Sequence, residues 1–157
     1  MITVRPARLP DDKPVILRFI EALQRFEAEF ESDRRRDAAY PEDQFAALKK
    51  RTENGIFLIA ERNGAPVGWA AVYAYEAPTY VIEEERRCAA ICEAFVDEAV
   101  RGQGAGRALL DACEAWAKGQ GITVIHIGHL TENRRASAVY EKAGFAPYVQ
   151  VRRKKLN

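Results

Sequence analysis

The run Arg101-Gly102-Gln103-Gly104-Ala105-Gly106-Arg107 constrains this chain more than any other segment. An apolar stretch, Cys88 to Val96, precedes it, and after it Leu109, Leu110, Cys113 and Trp116 recur at helical spacing. A strand must therefore turn into a helix through glycines. Glycines let backbone N–H groups converge with no Cβ in the way. A helix N-terminus adds unpaired N–H groups and the positive end of a dipole. Arg101 and Arg107 supply charge. Such a turn is an anion cradle whose natural guest is a phosphate or pyrophosphate. Two common cradles do not match. Counted from Gly102, the third glycine of a dinucleotide fingerprint falls on Arg107, and no Gly-Lys followed by Ser or Thr makes a P-loop.

The rest of the chain supplies strands and helices in alternation. Ile2 to Ala7 alternates apolar and polar residues, as a half-buried strand does. Asp11 or Asp12 can cap a helix, Pro14 suits its first turn, and an apolar stripe carries it to about Phe30. Pro41 to Lys50 reads as a second short helix. Gly55 to Glu61 and Pro66 to Tyr75 are strands joined by Asn63-Gly64, the strongest short hairpin signal. Glu76 to Glu85 reads as loop and Arg87 to Val96 as a central strand. A helix over Gly104–Gly119, a strand over Ile122–Gly128, a helix over Asn133–Ala143 and a last strand over Ala146–Val151 follow. The strand–helix–strand order around Phe95 and Ile125 predicts a parallel pair with a crossover helix inside a mostly antiparallel sheet. No repeat or linker divides the 157 residues, so one domain, 1–157, is expected.

Composition narrows the partners. With 48% hydrophobic and 30% charged residues, bulk disorder is excluded. Twenty-four Lys and Arg against 23 Asp and Glu leave a net charge of +1, too little to gather nucleic acid or anionic lipid, so any anion site is local. The Arg152–Lys155 run lacks interleaved aromatics, and no nucleic-acid partner is expected. No apolar run approaches the length of a membrane span, and Met1 to Arg5 carries no signal-peptide core, so a cytoplasmic protein without a membrane partner is expected. Cys88, Cys92 and Cys113 form no disulfide framework, and two distant histidines give no zinc spacing. No metal is expected. Exposed apolar strand edges make a homodimer the expected assembly.

The glycine turn matches (Arg/Gln)-x-x-Gly-x-(Gly/Ala) after a strand ending Phe95-Val96-Asp97. A second motif follows, Asn133-x-x-Ala136-x-x-x-Tyr140-x-x-x-Gly144-Phe145. In this order and on these elements, the two resemble the GNAT superfamily of N-acetyltransferases. The resemblance covers nearly the whole chain, including the Arg5-Pro6-Ala7 strand and the Asn63-Gly64 hairpin. It implies an α/β (α+β) fold: a mixed, mostly antiparallel twisted sheet of roughly six to seven strands with a central splayed parallel pair, flanked by about four helices. It implies acetyl-CoA (coenzyme A) as co-substrate, with the pyrophosphate on the backbone of Arg101, Gly102, Gln103, Gly104, Ala105, Gly106 and Arg107. Splayed strands Ile91–Val96 and Val124–His129 are implied to offer Phe95 and Val96 to the acyl carbonyl and pantetheine. Asn133 is implied to face the pantetheine arm and Tyr140 the thioester sulfur. Read without the family, Asn133 is equally a helix cap and Tyr140 a core aromatic.

Acyl transfer from a thioester to an amine needs a neutral amine, a donor for the developing oxyanion and a proton or hydrogen bond for the departing thiolate. Tyr140 is the candidate acid, because a phenol of pKa about 10 can serve a thiolate whose parent titrates near 8.5. A backbone N–H near Phe95 is the candidate oxyanion donor. Glu93, on the same strand face as Phe95, is the candidate base. It reads equally as a structural partner of an arginine across the sheet. His129 is a second candidate base and a water wire a third; His126 is out of phase with His129, so only one of the two is expected in the cleft.

The acceptor is less defined. Acidic residues on the first helix, the following loop and the segment before the central strand, among them Glu27, Glu29 and Glu83, suit a cationic amine such as a polyamine, an aminoglycoside or a protein lysine. Arg34, Arg35 and Arg36 in the same loop argue the other way. The sequence supports an N-acetyltransferase for a small-molecule or peptidyl primary amine. The alternative is a non-catalytic acyl-CoA-binding regulatory module on the same fold.

Overall fold

The computed structural model describes residues 1–157. Its elements run β1 (Ile2–Pro6), α1 (Lys13–Glu27), α2 (Tyr40–Arg51), β2 (Gly55–Arg62), β3 (Ala65–Glu76), the single turn α3 (Glu83–Arg86), β4 (Arg87–Val96), α4 (Ala105–Gly119), β5 (Ile125–Ile127) and α5 (Arg134–Lys142). The sheet has five strands in sequence order, antiparallel except for the β4–β5 pair. Asn63 and Gly64 both take positive φ, 52° and 78°, the combination a tight two-residue hairpin requires between β2 and β3.

The class expected from sequence holds, with a smaller sheet. Ala146–Val151 forms no strand, and Ile122–Gly128 contributes only Ile125–Ile127. The parallel pair therefore lies at the sheet's edge rather than its centre. A strand exists only through its neighbour, and residues 146–157 make no backbone–backbone hydrogen bond.

Each sheet face has its own core. On one, Leu109, Leu110 and Cys113 of α4 pack against Ala70, Val72, Ala89 and Ile91. On the other, Ile16, Phe19 and Ile20 of α1, with Phe45 and Leu48 of α2, pack against Ile59, Trp69 and Phe95. The i, i+3, i+4 spacing of the α1 residues puts one apolar stripe inward. Asp12 does not cap α1 with its side chain. Instead it accepts 2.7 Å and 3.0 Å hydrogen bonds from Arg5 and a 2.6 Å bond from the Arg8 N–H, tying β1 to the head of α1.

Strand β4 is irregular in two ways. The register against β3 slips between Ala71 and Val72, which oppose Glu93 and Ile91, leaving Cys92 as the extra residue of a bulge. And β5 accompanies β4 only along Ala89–Ile91. From Cys92 to Val96, β4 has β3 on one side and no strand on the other. At the end of that open stretch β3 presses close: a Cβ on Gly68 would lie 2.6 Å from the Phe95 carbonyl oxygen.

Candidate active site

The cleft opens where β5 leaves β4. Its cavity measures about 750 Å³ and reaches from the end of α1 and α2, at Phe26, Glu27 and Arg51, to the glycine turn and Tyr140.

At one end stands the cradle. Gly102 and Gly104 have φ of +78° and +94°, a left-handed conformation that costs an L side chain roughly 1–2 kcal/mol. With the chain so turned, α4 begins at Ala105, and the amides of Gly102, Gly104, Ala105, Gly106 and Arg107 have no backbone acceptor. The Gln103 amide differs: it closes the turn on the Val100 carbonyl at 3.3 Å, while its side-chain oxygen accepts from Arg62. The Ala105 methyl is buried in the α4 core.

The two arginines do not arm the cradle as their positions suggested. Arg101 folds back into the cleft, where its Nε donates to the Val96 carbonyl at 3.0 Å and its guanidinium lies over the rings of Phe26 and Phe95, 5.5 Å and 5.7 Å from their centroids. Burial, then the neighbouring Arg135, draw its pKa down. Arg107 pairs with Asp111 at 2.8 Å, one helical turn on, and reaches the Lys142 carbonyl. The helix end and its free amides supply the positive character instead.

Glu93 occupies the opposite side. Its Oε2 is buried without a hydrogen-bond partner. Desolvation raises its pKa to about 8; Glu27 adds to the rise, while Gln44 and Arg51 oppose it. Glu27 is pushed up by burial as well, despite Arg34 at 3.9 Å. Two carboxyl groups thus line the cleft in surroundings that penalise their charge. The Tyr140 phenol has no hydrogen-bond partner, and burial, helped by Glu27, pushes its pKa up to about 12. Its ring lies 5.8 Å from that of His129 and 6.2 Å from Phe145.

His129 lines the same cavity, with Nδ1 2.9 Å from the Leu130 carbonyl. His126 points elsewhere, bonding Tyr75 at 2.5 Å and stacking on Tyr148. Asn133 borders the cavity and caps α5, its Oδ1 accepting from the Ala136 N–H at 3.1 Å. The cavity therefore gathers Glu93, Phe95, Val96, Arg101, Asn133 and Tyr140. It also holds Arg51 and Arg135, which the sequence did not point to, and Gln44 stands behind Glu93. Gln44 and Arg51 are seven apart on α2, two turns on one face, and that spacing was the available signal.

A parallel strand pair that parts, with an amide-lined glycine turn leading into the crossover helix, defines an α/β fold with an anion site at the head of its cleft. The comparisons agree. A family model described as the acetyltransferase (GNAT) family matches residues 19–145, and the chain belongs to that family. An uncharacterized N-acetyltransferase of Methanocaldococcus jannaschii is 37% identical over 101 residues, 64% of this chain and 43% of its own. One from Bacillus subtilis is 33% identical over 102 residues, 64% of this chain and 66% of its own. The match thus spans less than two thirds of either relative. Among solved structures, a mutant protein of Bacillus halodurans superposes with a TM-score of 0.83 at 21% identity, covering 99% of both chains. A predicted acetyltransferase from Clostridium acetobutylicum, solved with acetyl-CoA, gives 0.74 at 21% identity, covering 100% of this chain and 96% of the other. Those two likenesses concern the fold.

Proposed function

We propose that this acetyltransferase moves an acetyl group from acetyl-CoA to a primary amine of a small-molecule or peptidyl acceptor, by direct attack on the thioester. One observation carries the reading. A stretch of β4 paired with β3 but open on its β5 side, Cys92–Val96, runs to a turn of unpaired amides in a single cleft that also holds a carboxyl with one oxygen unpartnered and a phenol without a hydrogen-bond partner in the chain.

The residues fit the parts of acetyl-CoA. Gly102, Gly104, Gly106 and Arg107 offer amides to the pyrophosphate, and the Gln103 amide, already used, does not. Phe95 and Val96 offer backbone groups to the acyl and pantetheine end. Arg101 must first release the Val96 carbonyl. Asn133 keeps its amide NH₂ for the pantetheine arm while its oxygen holds the cap.

The chemistry divides between two side chains. Glu93 takes the proton of the incoming ammonium. Its raised pKa makes it a competent base near neutrality, and the cation it receives favours its charged form. The amine nitrogen bonds to the acetyl carbon, the C–S bond breaks, and the second proton of the nitrogen passes to the departing sulfur as the amide forms, leaving free coenzyme A thiol. Tyr140 gives the departing sulfur a hydrogen bond; at a pKa of about 12 the phenol acts as a donor to a thiolate whose thiol titrates near 8.5, not as its proton source. His129 stands next to Tyr140 and is the second candidate for the amine's proton. Glu27 and Glu93 at the acceptor end favour a cationic amine. A cytoplasmic setting suits this use of acetyl-CoA.

The test is thiol release from acetyl-CoA against polyamines, aminoglycosides, amino acids and a lysine peptide, with calorimetric titration of acetyl-CoA alongside. Uptake with release for at least one amine supports the reading. Uptake without release identifies a non-catalytic acyl-CoA-binding module, and no uptake by folded protein ends both.

A further inference from the structure

The acceptor end of the cleft carries charge of both signs. Glu27 and Glu93 bring two carboxyl groups, and Arg34 and Arg51 bring two guanidinium groups. Arg34 is already engaged: it bonds Asp33 at 2.6 Å and lies 3.9 Å from Glu27. Arg51 is not. It pairs with no carboxylate, and its guanidinium rests over the Tyr73 ring, 6.0 Å from the centroid. The helix does not explain that placement. The last turn of α2 carries Lys49, Lys50 and Arg51, each of which complements the helix dipole, and of the three only Arg51 lines the cleft. There it is near enough to oppose the rise in pKa of both Cys92 and Glu93, neighbours on β4. Nor does the pyrophosphate of acetyl-CoA account for it, because the amide cradle for that group lies at the other end of the cleft.

A cation without an anion thus stands beside Glu93, whose Oε2 has no partner, and the two do not close on each other. Each is left open to a ligand, one for an ammonium and one for a carboxylate. We propose that the acceptor is a free amino acid, its ammonium at Glu93 and its carboxylate on the guanidinium of Arg51. The proposal rests on the acetyltransferase reading above and narrows its acceptor. The choice follows from counting unmet groups. A polyamine or an aminoglycoside would set further ammonium groups against Arg51. A peptide lysine would leave Arg51 unmet. A free amino acid meets both ends at once, and a guanidinium fork matches the two oxygens of a carboxylate.

The experiment measures thiol release from acetyl-CoA with α-amino acids, β-alanine and 4-aminobutyrate, each beside the amine left when its carboxylate is removed. The wild type is expected to favour at least one amino acid over its bare amine by about 10-fold or more in kcat/KM. Arg51→Met keeps the stem and removes the charge, and is expected to erase that preference through the KM of the amino acid. Arg51→Lys is expected to restore part of it, since a point charge lacks the planar fork. Taking the ratio within each protein cancels any effect of Arg51 on Glu93. A wild type that uses the bare amines, a polyamine or a lysine peptide as well as any amino acid overturns the proposal. So does a preference that survives Arg51→Met. The acetyl-CoA titration reports separately on the catalytic reading. If no acceptor releases thiol, calorimetric titration with the same amino acids decides: uptake that Arg51→Met weakens by about 10-fold or more upholds the carboxylate seat, and no uptake overturns it.

Discussion

Replacing Glu93 with Gln removes one ionisable proton from the cleft and tests stability and catalysis in a single variant. In the folded chain burial holds the Glu93 pKa at about 8, against 4.5 for the ordinary group. Between those values the unfolded chain has released the proton and the folded chain still binds it. Stability from this group is therefore complete below pH 4.5 and is lost as pH rises through about 8. At about 1.4 kcal/mol per pH unit, the loss reaches up to about 5 kcal/mol. Gln has nearly the same shape and never ionises. Glu93→Gln is expected to match the wild type at pH 4.5 and to exceed it by about 2–5 kcal/mol at pH 9, several degrees of melting temperature for a chain of this size. Urea unfolding at the two pH values measures the difference. Amine-dependent thiol release should fall by about 10²-fold or more, as expected when a general base is removed. Parallel pH dependences for the two proteins would show that Glu93 is not the desolvated acid. A stabilised variant with full turnover would leave the base role to His129 or water.

Three other perturbations separate the remaining parts. Tyr140→Phe should lower single-turnover acetyl transfer by about 10²-fold and leave acetyl-CoA affinity within twofold by calorimetry; unchanged turnover would remove the phenol from the reaction. Gly104→Ala forces a side chain into a φ of +94°, at a cost of roughly 1–2 kcal/mol, and should weaken acetyl-CoA uptake more than it lowers the melting temperature. Asp12→Ala leaves the Arg8 amide without its acceptor and Arg5 with Glu61 as its only carboxylate, and should destabilise by about 1–2 kcal/mol in urea, with acetyl-CoA affinity per folded molecule unchanged.

Most of what a local pattern can encode was readable. The Asn63-Gly64 hairpin, the α1 stripe, the extent of β4 and the start of α4 all follow from side-chain period or from glycine's access to positive φ, which depend on a few neighbouring residues. The final strand was not readable in the same way. Val149 and Val151 have strand propensity, but a ladder needs a partner's N–H and carbonyl, and within the single chain residues 146–151 have none. The arginines of the turn show the same limit. Arg101 and Arg107 flank the cradle in sequence, while Phe26, Phe95 and Asp111 decide where their guanidinium groups lie.

By itself the sequence determined the family, the order of the elements and the amide-lined turn, since each rests on short-range geometry along one stretch of backbone. Tertiary structure alone decided that Glu93 sits desolvated near Glu27, Gln44 and Arg51, that Tyr140 shares its cleft, and that the sheet stops at β5. A carboxyl's proton affinity is set by how much water and which charges surround it, and those come from α1 and α2, more than forty positions away along the chain.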